Sequence, residues 1–228
     1  MKARDVMVSP VITVAQSCTV REVAKTFVQH GISGVPVVDD QGKLVGIVSE
    51  GDLMHRSEAA TERKRSWWLL AFTASETLAA DYVEAHARNV ADIMTRRVVV
   101  AAPDTPLRDI AALLEKNSIK RVPIMENGRL VGIVSRANLV QAVASTRAGT
   151  DVSPSDTVLR DKLLAHLKTQ PWAHTDLLNI TVTDGIIDLW GMTSSDAERK
   201  AIRVAAECAP GVRGVNDHLV TRQVQGWQ

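Results

Sequence analysis

The chain is poor in residues that announce redox, metal or nucleophilic chemistry. It has two cysteines in 228 residues, Cys18 and Cys208, far apart and in neither metal-ligand nor redox spacing. Each stands in an apolar, helical or helix-start setting, so two buried reduced thiols are expected and a disulfide is not. The six histidines, His30, His55, His86, His166, His174 and His218, show no metal-ligand spacing and pair with no repeated acid. Neither cysteine has a base beside it in a nucleophile motif, so a non-enzymatic role is expected. Net charge is only +1, which gives no global field for nucleic acid or for an anionic membrane. No apolar run reaches the length of a membrane span. The start, Met1-Lys2-Ala3-Arg4-Asp5, leads into a strand-like alternation without a signal-peptide core, and a cytoplasmic location is the expectation. What is present is an ordinary globular composition, 45% apolar and 23% charged, enough for one large or two modest domains.

The organising feature is an internal repeat. Asp5-Val6-Met7 returns as Asp92-Ile93-Met94, and Val35-Pro36-Val37 as Val122-Pro123-Ile124, both 87 positions later. Lys43-Leu44-Val45-Gly46-Ile47-Val48-Ser49 returns as Arg129-Leu130-Val131-Gly132-Ile133-Val134-Ser135, 86 positions later. The lost residue falls in the turn, Asp39-Asp40-Gln41-Gly42 against Glu126-Asn127-Gly128, where length varies most freely. Each copy predicts a short strand (Val11 to Val14; Val98 to Val100) and then a helix (Val20 to Gln29; Leu107 to Lys116). Thr19 and Glu22 have capping-box spacing, and Thr105 precedes Pro106 at a first helical position. Val20, Val23, Ala24 and Phe27, like Leu107, Ile110, Ala111 and Leu114, recur at helical spacing. A hairpin turning at Gly42 or Gly128 follows, then a second helix from Ser49 or Ser135.

Two β-α-β-β-α units carrying GVPVVDDQGKLVGIVSEGDL and RVPIMENGRLVGIVSRANL closely resemble the CBS-domain family. The likeness covers about residues 1–145, as motif 1 (1–54), an inserted helical linker (55–90) and motif 2 (91–145). It implies a mixed α/β (α+β) fold in which the motifs form one pseudo-symmetric module with two clefts. It also implies homodimerisation and an adenosine-containing ligand: AMP, ADP, ATP, NAD or S-adenosylmethionine.

Ser49-Glu50-Gly51-Asp52 opens a helix directly after a strand, where unpaired amides and the helix dipole favour a phosphate. Ser49 can donate to a phosphate and Asp52 can accept from ribose hydroxyls. Ser135-Arg136-Ala137-Asn138 repeats this with an amide for the carboxylate, which forgoes a charge-assisted bond. Ser-x-x-Asp is equally an ordinary helix cap. Its recurrence at the same place in both units is what favours a ligand site. In the family, each motif's Ser-x-x-Asp faces the strands of the other. The resemblance therefore implies one cleft of Ser49, Asp52, Val98, Val100, Lys120, Arg121 and Val122. The other would hold Val11, Thr13, Ser33, Gly34, Val35, Ser135 and Asn138. Lys120 and Arg121 make the first the stronger phosphate site, though a solvated strand edge explains them too.

In the insertion, Arg63-Lys64-Arg65 precede Ser66-Trp67-Trp68-Leu69-Leu70-Ala71-Phe72, and Ala74 to Arg88 reads as a helix. Packing against the protein itself is favoured over a membrane-interface anchor, because the run is short and its basic residues few.

After a polar linker (146–154), Ser153-Pro154 begins a helix with Leu159, Leu163 and Leu167 four apart. Strands at Leu178 to Thr183 and Ile186 to Trp190 join through Asp184-Gly185. Gly191 is read as ending the second strand, and Thr193 with Asp196 as capping a helix to about Ala209. Pro210-Gly211 precedes a last strand near Gly214 to Thr221. This α-β-β-α-β order, with VTDGIIDLWGMTSSDAERKAIRVAAECAPGVRGVNDHL, resembles the BON domain over 155–223. The likeness implies phospholipid or protein contact, for which Arg199, Lys200 and Arg203 are the candidate residues. Eight basic residues against nine acidic ones over 154–223 give no bulk attraction to anionic lipid. Two functions follow: an adenine-nucleotide sensor relaying occupancy to the BON domain or a partner, or an adaptor acting through the BON domain on a CBS scaffold.

Overall fold

The computed structural model describes residues 1–54, 77, 83, 86–145 and 153–222. The Trp67-Trp68 insertion and its expected helix fall largely outside these. The described elements run α1 (Ala3–Val6), β1 (Val14–Ala15), α2 (Val20–His30), β2 (Gly34–Val38), β3 (Leu44–Ser49), α3 (Glu50–Leu53) and α4 (Val90–Ile93). Then come α5 (Leu107–Lys116), β4 (Arg121–Glu126), β5 (Arg129–Ser135), α6 (Arg136–Ser145) and α7 (Pro154–Lys168). Strands β6 (Leu178–Thr183) and β7 (Ile186–Thr193), helix α8 (Asp196–Glu207) and β8 (Gly214–Thr221) complete the chain.

Two compact units emerge, Ile12–Val98 and Met1–Val11 with Val99–Gln228. In the first, β2 and β3 form an antiparallel hairpin with β1 parallel to β2. Thr19 caps α2 in a full box with Glu22: the Glu22 amide donates to Thr19 Oγ1 at 3.3 Å and the Thr19 amide to Glu22 Oε2 at 2.7 Å. The helix lays Val23 and Phe27 on Val35, Val37 and Val48, and Val90 and Met94 of the segment around α4 close the same core.

The second unit repeats this with the chain's N-terminal segment in the equivalent role. Ala3 and Val6 join Ile110, Leu114, Val122, Ile124 and Val134 in one core. Val8 exchanges amide bonds with Ile133, as Thr95 does with Ile47. The two methionines of the repeated Asp-x-Met segments explain Gly46 and Gly132. A Cβ on Gly46 would come within 2.6 Å of Met94 Sδ, and one on Gly132 within 2.3 Å of Met7 Sδ. The first Asp-x-Met therefore packs on the second hairpin, and the second on the first.

Several expectations need correction. Residues 3–6 are helical, not strand-like, because their amides bond the loop before α5, Ala3 to Thr105 O and Arg4 to Pro103 O. The first strand is short: pairing begins only at Val14↔Val37, since Val8 is already engaged with Ile133 and Pro10 has no amide. Its counterpart is a single bridge, Ala101↔Ile124, instead of a strand over Val98 to Val100. Ala111 is exposed, off the Ile110–Leu114 stripe. Pro106 is the cap of α5 itself, one residue before its first turn.

The C-terminal part is a sheet in the order β6-β7-β8, antiparallel then parallel. Leu159, Leu163, Leu167, Ile180, Val182, Ile187, Leu189 and Ile202 form its core with α7 and α8. Asp184 and Gly185 both have positive φ, 54° and 70°, as a two-residue hairpin turn of this hand requires. Strand β7 runs past Gly191 to Thr193. Gly191 does not end it but permits it: φ is +123° and a Cβ would sit 2.1 Å from Leu177 O. The cap of α8 is Ser195, not Thr193, which β7 retains. Ser195 Oγ accepts the Glu198 amide at 3.1 Å. Cys208 is exposed, not buried, because it follows the Glu198–Ile202–Ala206 stripe by two residues and so lies on the far face. Both thiols are free.

Strand β6 alternates Leu178, Ile180 and Val182 with Asn179, Thr181 and Thr183, and all six are buried. The apolar set meets the α7–α8 core. The polar set faces α6: Asn179 Nδ2 donates to Gln141 Oε1 at 2.7 Å and Thr181 Oγ1 to Ser145 Oγ at 2.9 Å. From β7, Trp190 Nε1 donates to the same Ser145 oxygen at 3.2 Å. Arg160 of α7, 4% exposed, donates Nε to Ile180 O at 2.6 Å and Nη2 to Met7 O at 2.7 Å.

Candidate functional site

Both Ser-x-x-Asp/Asn turns are built by their own hairpins. Gly34 pairs with Ser49 and Arg121 with Ser135, so each serine ends a strand fixed by its neighbour. In the first, the Ser49 amide and Oγ both donate to Asp52 Oδ2, at 2.6 and 2.9 Å. Asp52 Oδ1 has no partner among the described residues. In the second, the same two donors of Ser135 reach Asn138 Oδ1, each at 2.7 Å. The Asn138 amide nitrogen, Nδ2, turns the other way and donates to Gln141 Oε1 at 3.1 Å. The two turns are thus reciprocal caps in their present state, and each keeps one polar end of the Asp or Asn pointing elsewhere.

The amide that follows each serine is used as well. The Glu50 amide donates to Ser33 O at 3.1 Å and the Arg136 amide to Lys120 O at 3.0 Å. The structure gathers Ser33, Gly34 and Val35 around Ser49 within the first motif. It gathers Lys120, Arg121 and Val122 around Ser135 within the second. The side chains of Val35 and Val122 belong wholly to the two cores, so only their main chain is left for a ligand. Lys120, Thr13 and Val100 are exposed, and Val11, Val98, Arg121, Ser49 and Asp52 are half-buried. Asn138 is buried.

On the C-terminal domain, two of the three expected basic residues are neutralised locally. Arg199 Nε meets Asp217 Oδ2 at 2.9 Å and Arg203 meets Glu207 at 3.4 Å, one helical turn on. Lys200 is exposed. At the start of α7 an open depression of 520 Å³ is lined by Ser155, Asp156, Lys162, Asp184, Pro210 and Arg213 among others. Arg213 pairs there with Asp184 at 2.7 Å, so acid and base balance. Burial opposes the charge of Asp156, but bonds from Ser153, Gly185 and Asp184 outweigh it and hold the carboxyl below the usual range. Glu198 is likewise held low: burial raises it, and donors from Ser194 and His174 more than offset that.

Gln141, Ser145, Arg160, Asn179 and Trp190 were not legible as a group from sequence. The one available signal is Arg160, a cation inside the stripe Asp156, Leu159, Arg160, Leu163, Leu167 that otherwise buries its residues.

Comparison with known proteins accounts for both parts of the chain. The CBS domain model matches residues 3–59 and 90–145, and the BON domain model matches 155–223. The chain belongs to the CBS-domain family and carries a C-terminal BON domain. It is 34% identical over 154 residues to the uncharacterized protein MJ1426 of Methanocaldococcus jannaschii, covering 63% of this chain and 91% of that one. It is 32% identical over 148 residues to the chloroplastic CBS domain-containing protein CBSX1 of Arabidopsis thaliana, covering 60% of this chain and 61% of that one. Among solved structures it resembles CBSX2 in complex with AMP, at TM-score 0.55 and 28% identity over 64% of this chain and 98% of that one. Among the described residues, no helix is long and apolar enough to cross a membrane.

Proposed function

We propose that this protein is a non-catalytic regulator that binds an adenine nucleotide, AMP, ADP or ATP, through its CBS motifs and passes occupancy to its BON domain or a partner. The observation that carries this reading is the duplicated strand–Ser-x-x-Asp/Asn turn, held in the same reciprocal geometry in both motifs. The likeness to CBSX2, solved with AMP, supports the choice of ligand. Asp52 is the residue expected to hold ribose, because its Oδ1 stands without a partner among the described residues. Ser49 Oγ is expected to turn from Asp52 to a phosphate. Lys120 and Arg121 supply positive charge at the second motif, where a phosphate gains most from arginine's planar donor pair. Regulation of this kind requires that the nucleotide prefer one of two states of the protein.

A thermal-shift screen with AMP, ADP, ATP, NAD and S-adenosylmethionine tests the proposal on wild type and Asp52→Ala. A ligand at a hundred times its dissociation constant stabilises by about 2.7 kcal/mol. One adenine ligand should raise the midpoint of wild type, and Asp52→Ala should cut the rise by about half or more. No shift from any of them, in protein freed of co-purified ligand, would leave the CBS pair as a scaffold and the BON domain as an adaptor.

A further inference from the structure

We infer that Gln141 is a positioning residue that joins Asn138, the second motif's candidate ribose-binding residue, to the BON domain. Its Oε1 accepts two donors at once: Asn138 Nδ2 from one turn back in α6, at 3.1 Å, and Asn179 Nδ2 from β6, at 2.7 Å. Both lone pairs of that oxygen are therefore committed. Asn138 is fixed at its other end by Ser135, whose amide and hydroxyl occupy Oδ1. The result is a chain of side-chain hydrogen bonds from the cap of α6 to a buried strand of the BON domain.

The joint has leverage because the surface around it is sparsely bonded. Asn179 Oδ1 and Thr183 Oγ1, on the same buried face of β6, have no partner among the described residues. A buried polar atom without a partner is costly, and the side-chain bonds that do reach this face come from Gln141 and Ser145.

The joint also gives a reason for one polar departure between the repeats. Where the first motif has Asp52, the second has Asn138. A carboxylate has no hydrogen to give to Gln141 Oε1, whereas an amide has two. The amide belongs on the motif that carries the BON domain. A ligand that draws the Asn138 amide away from Gln141 loosens this bond, and the tension of that exchange falls on the Asn179 bond. The ligand half of this inference rests on the nucleotide reading above; the joint does not.

Hydrogen exchange of the β6 amides, in the full chain, tests both halves. The variants are Asn138→Ala, Gln141→Leu, which removes both bonds, and Gln141→Glu, whose carboxylate can still accept both. Asn138→Ala should speed β6 exchange about fivefold, the equivalent of one net hydrogen bond, in wild type and in Gln141→Glu. In the Gln141→Leu background it should add nothing at β6, although the loss of the α6 cap is the same there. An equal effect of Asn138→Ala in all three backgrounds, or none in wild type, overturns the joint. With AMP as the probe, saturation should change β6 exchange in wild type and Gln141→Glu but not in Gln141→Leu. AMP binding that leaves β6 equally unchanged in all three would refute the ligand half. If AMP shifts the melting midpoint of no variant, the nucleotide reading fails, and the Asn138 comparison still decides the joint.

Discussion

Arg160 shows how much a single residue can decide. Burial pushes its pKa down, with Asp161 and Asp5 opposing. The guanidinium stays in place because two main-chain carbonyls, of Ile180 and Met7, take its protons. Those carbonyls belong to the BON sheet and to the N-terminal segment, so one side chain ties both to α7. Arg160→Met should cost about 3 kcal/mol, since it leaves a buried and a part-buried acceptor without their charged donor. Arg160→Lys should recover little of that, because an ammonium cannot span two acceptors held by a planar fork. Urea denaturation of the three proteins checks this. A loss below about 1 kcal/mol for Arg160→Met would mean that water replaces the bonds at no cost. From the sequence, Arg160 reads only as a charge on an apolar stripe. Its partners lie 20 and 153 positions away, beyond any local pattern.

At the scale of elements, what could be read in the sequence is what the chain settles over a few residues. The Thr19–Glu22 box, the Ser153-Pro154 start of α7 and the Asp184-Gly185 turn each depend on neighbours, and each is found where expected. Gly191 is the instructive miss. A glycine just before the Thr193-Ser194-Ser195-Asp196 run reads as a stop, but here the strand continues and Gly191 lets Leu177 O approach its backbone. Gly191→Ala should destabilise the BON domain by about 3 kcal/mol from positive-φ strain and the clash together. A thermal midpoint within a degree or two of wild type would contradict that placement. Strand β6 stands where the sequence placed it, but its burial on both faces was not foreseen. Its polar–apolar alternation is the pattern of a sheet with one face in water, yet α6 and the N-terminal segment cover that face.

The same elements carry a pH dependence. Asp156 and Glu198 are both held below their ordinary values, so the folded BON domain prefers them ionised. Their contribution is whole above the ordinary carboxylate range of about 4 and is lost as pH falls through their lower folded values. Urea midpoints for the BON domain should therefore fall between pH 6 and pH 3, and Asp156→Asn with Glu198→Gln should flatten the fall. An unaltered slope in the double variant would place the acid-sensitive groups elsewhere.

For the whole molecule, the repeat announces two like units but not how the chain threads them. Met7 and Met94 stand in similar Asp-x-Met segments, and either could pack on Gly46 or Gly132. The structure selects the crossed choice, so the first residues of the chain belong to the unit that bears the BON domain. That choice places Met7 O within reach of Arg160 and α1 against β6. The candidate site was legible in part: Ser49, Asp52, Ser135 and Asn138 follow from repetition. Gln141 and Asn179, 38 positions apart, become neighbours only when the BON sheet docks on α6.

The most direct measurement is calorimetric titration of nucleotide-free protein with AMP, on wild type and Asp52→Ala. Loss of a charge-assisted bond to ribose should weaken binding by about tenfold or more, with the fold retained. Saturable binding that Asp52→Ala weakens to this degree is the predicted result. The absence of binding heat in wild type, across temperatures and with ADP and ATP also tried, would contradict the account.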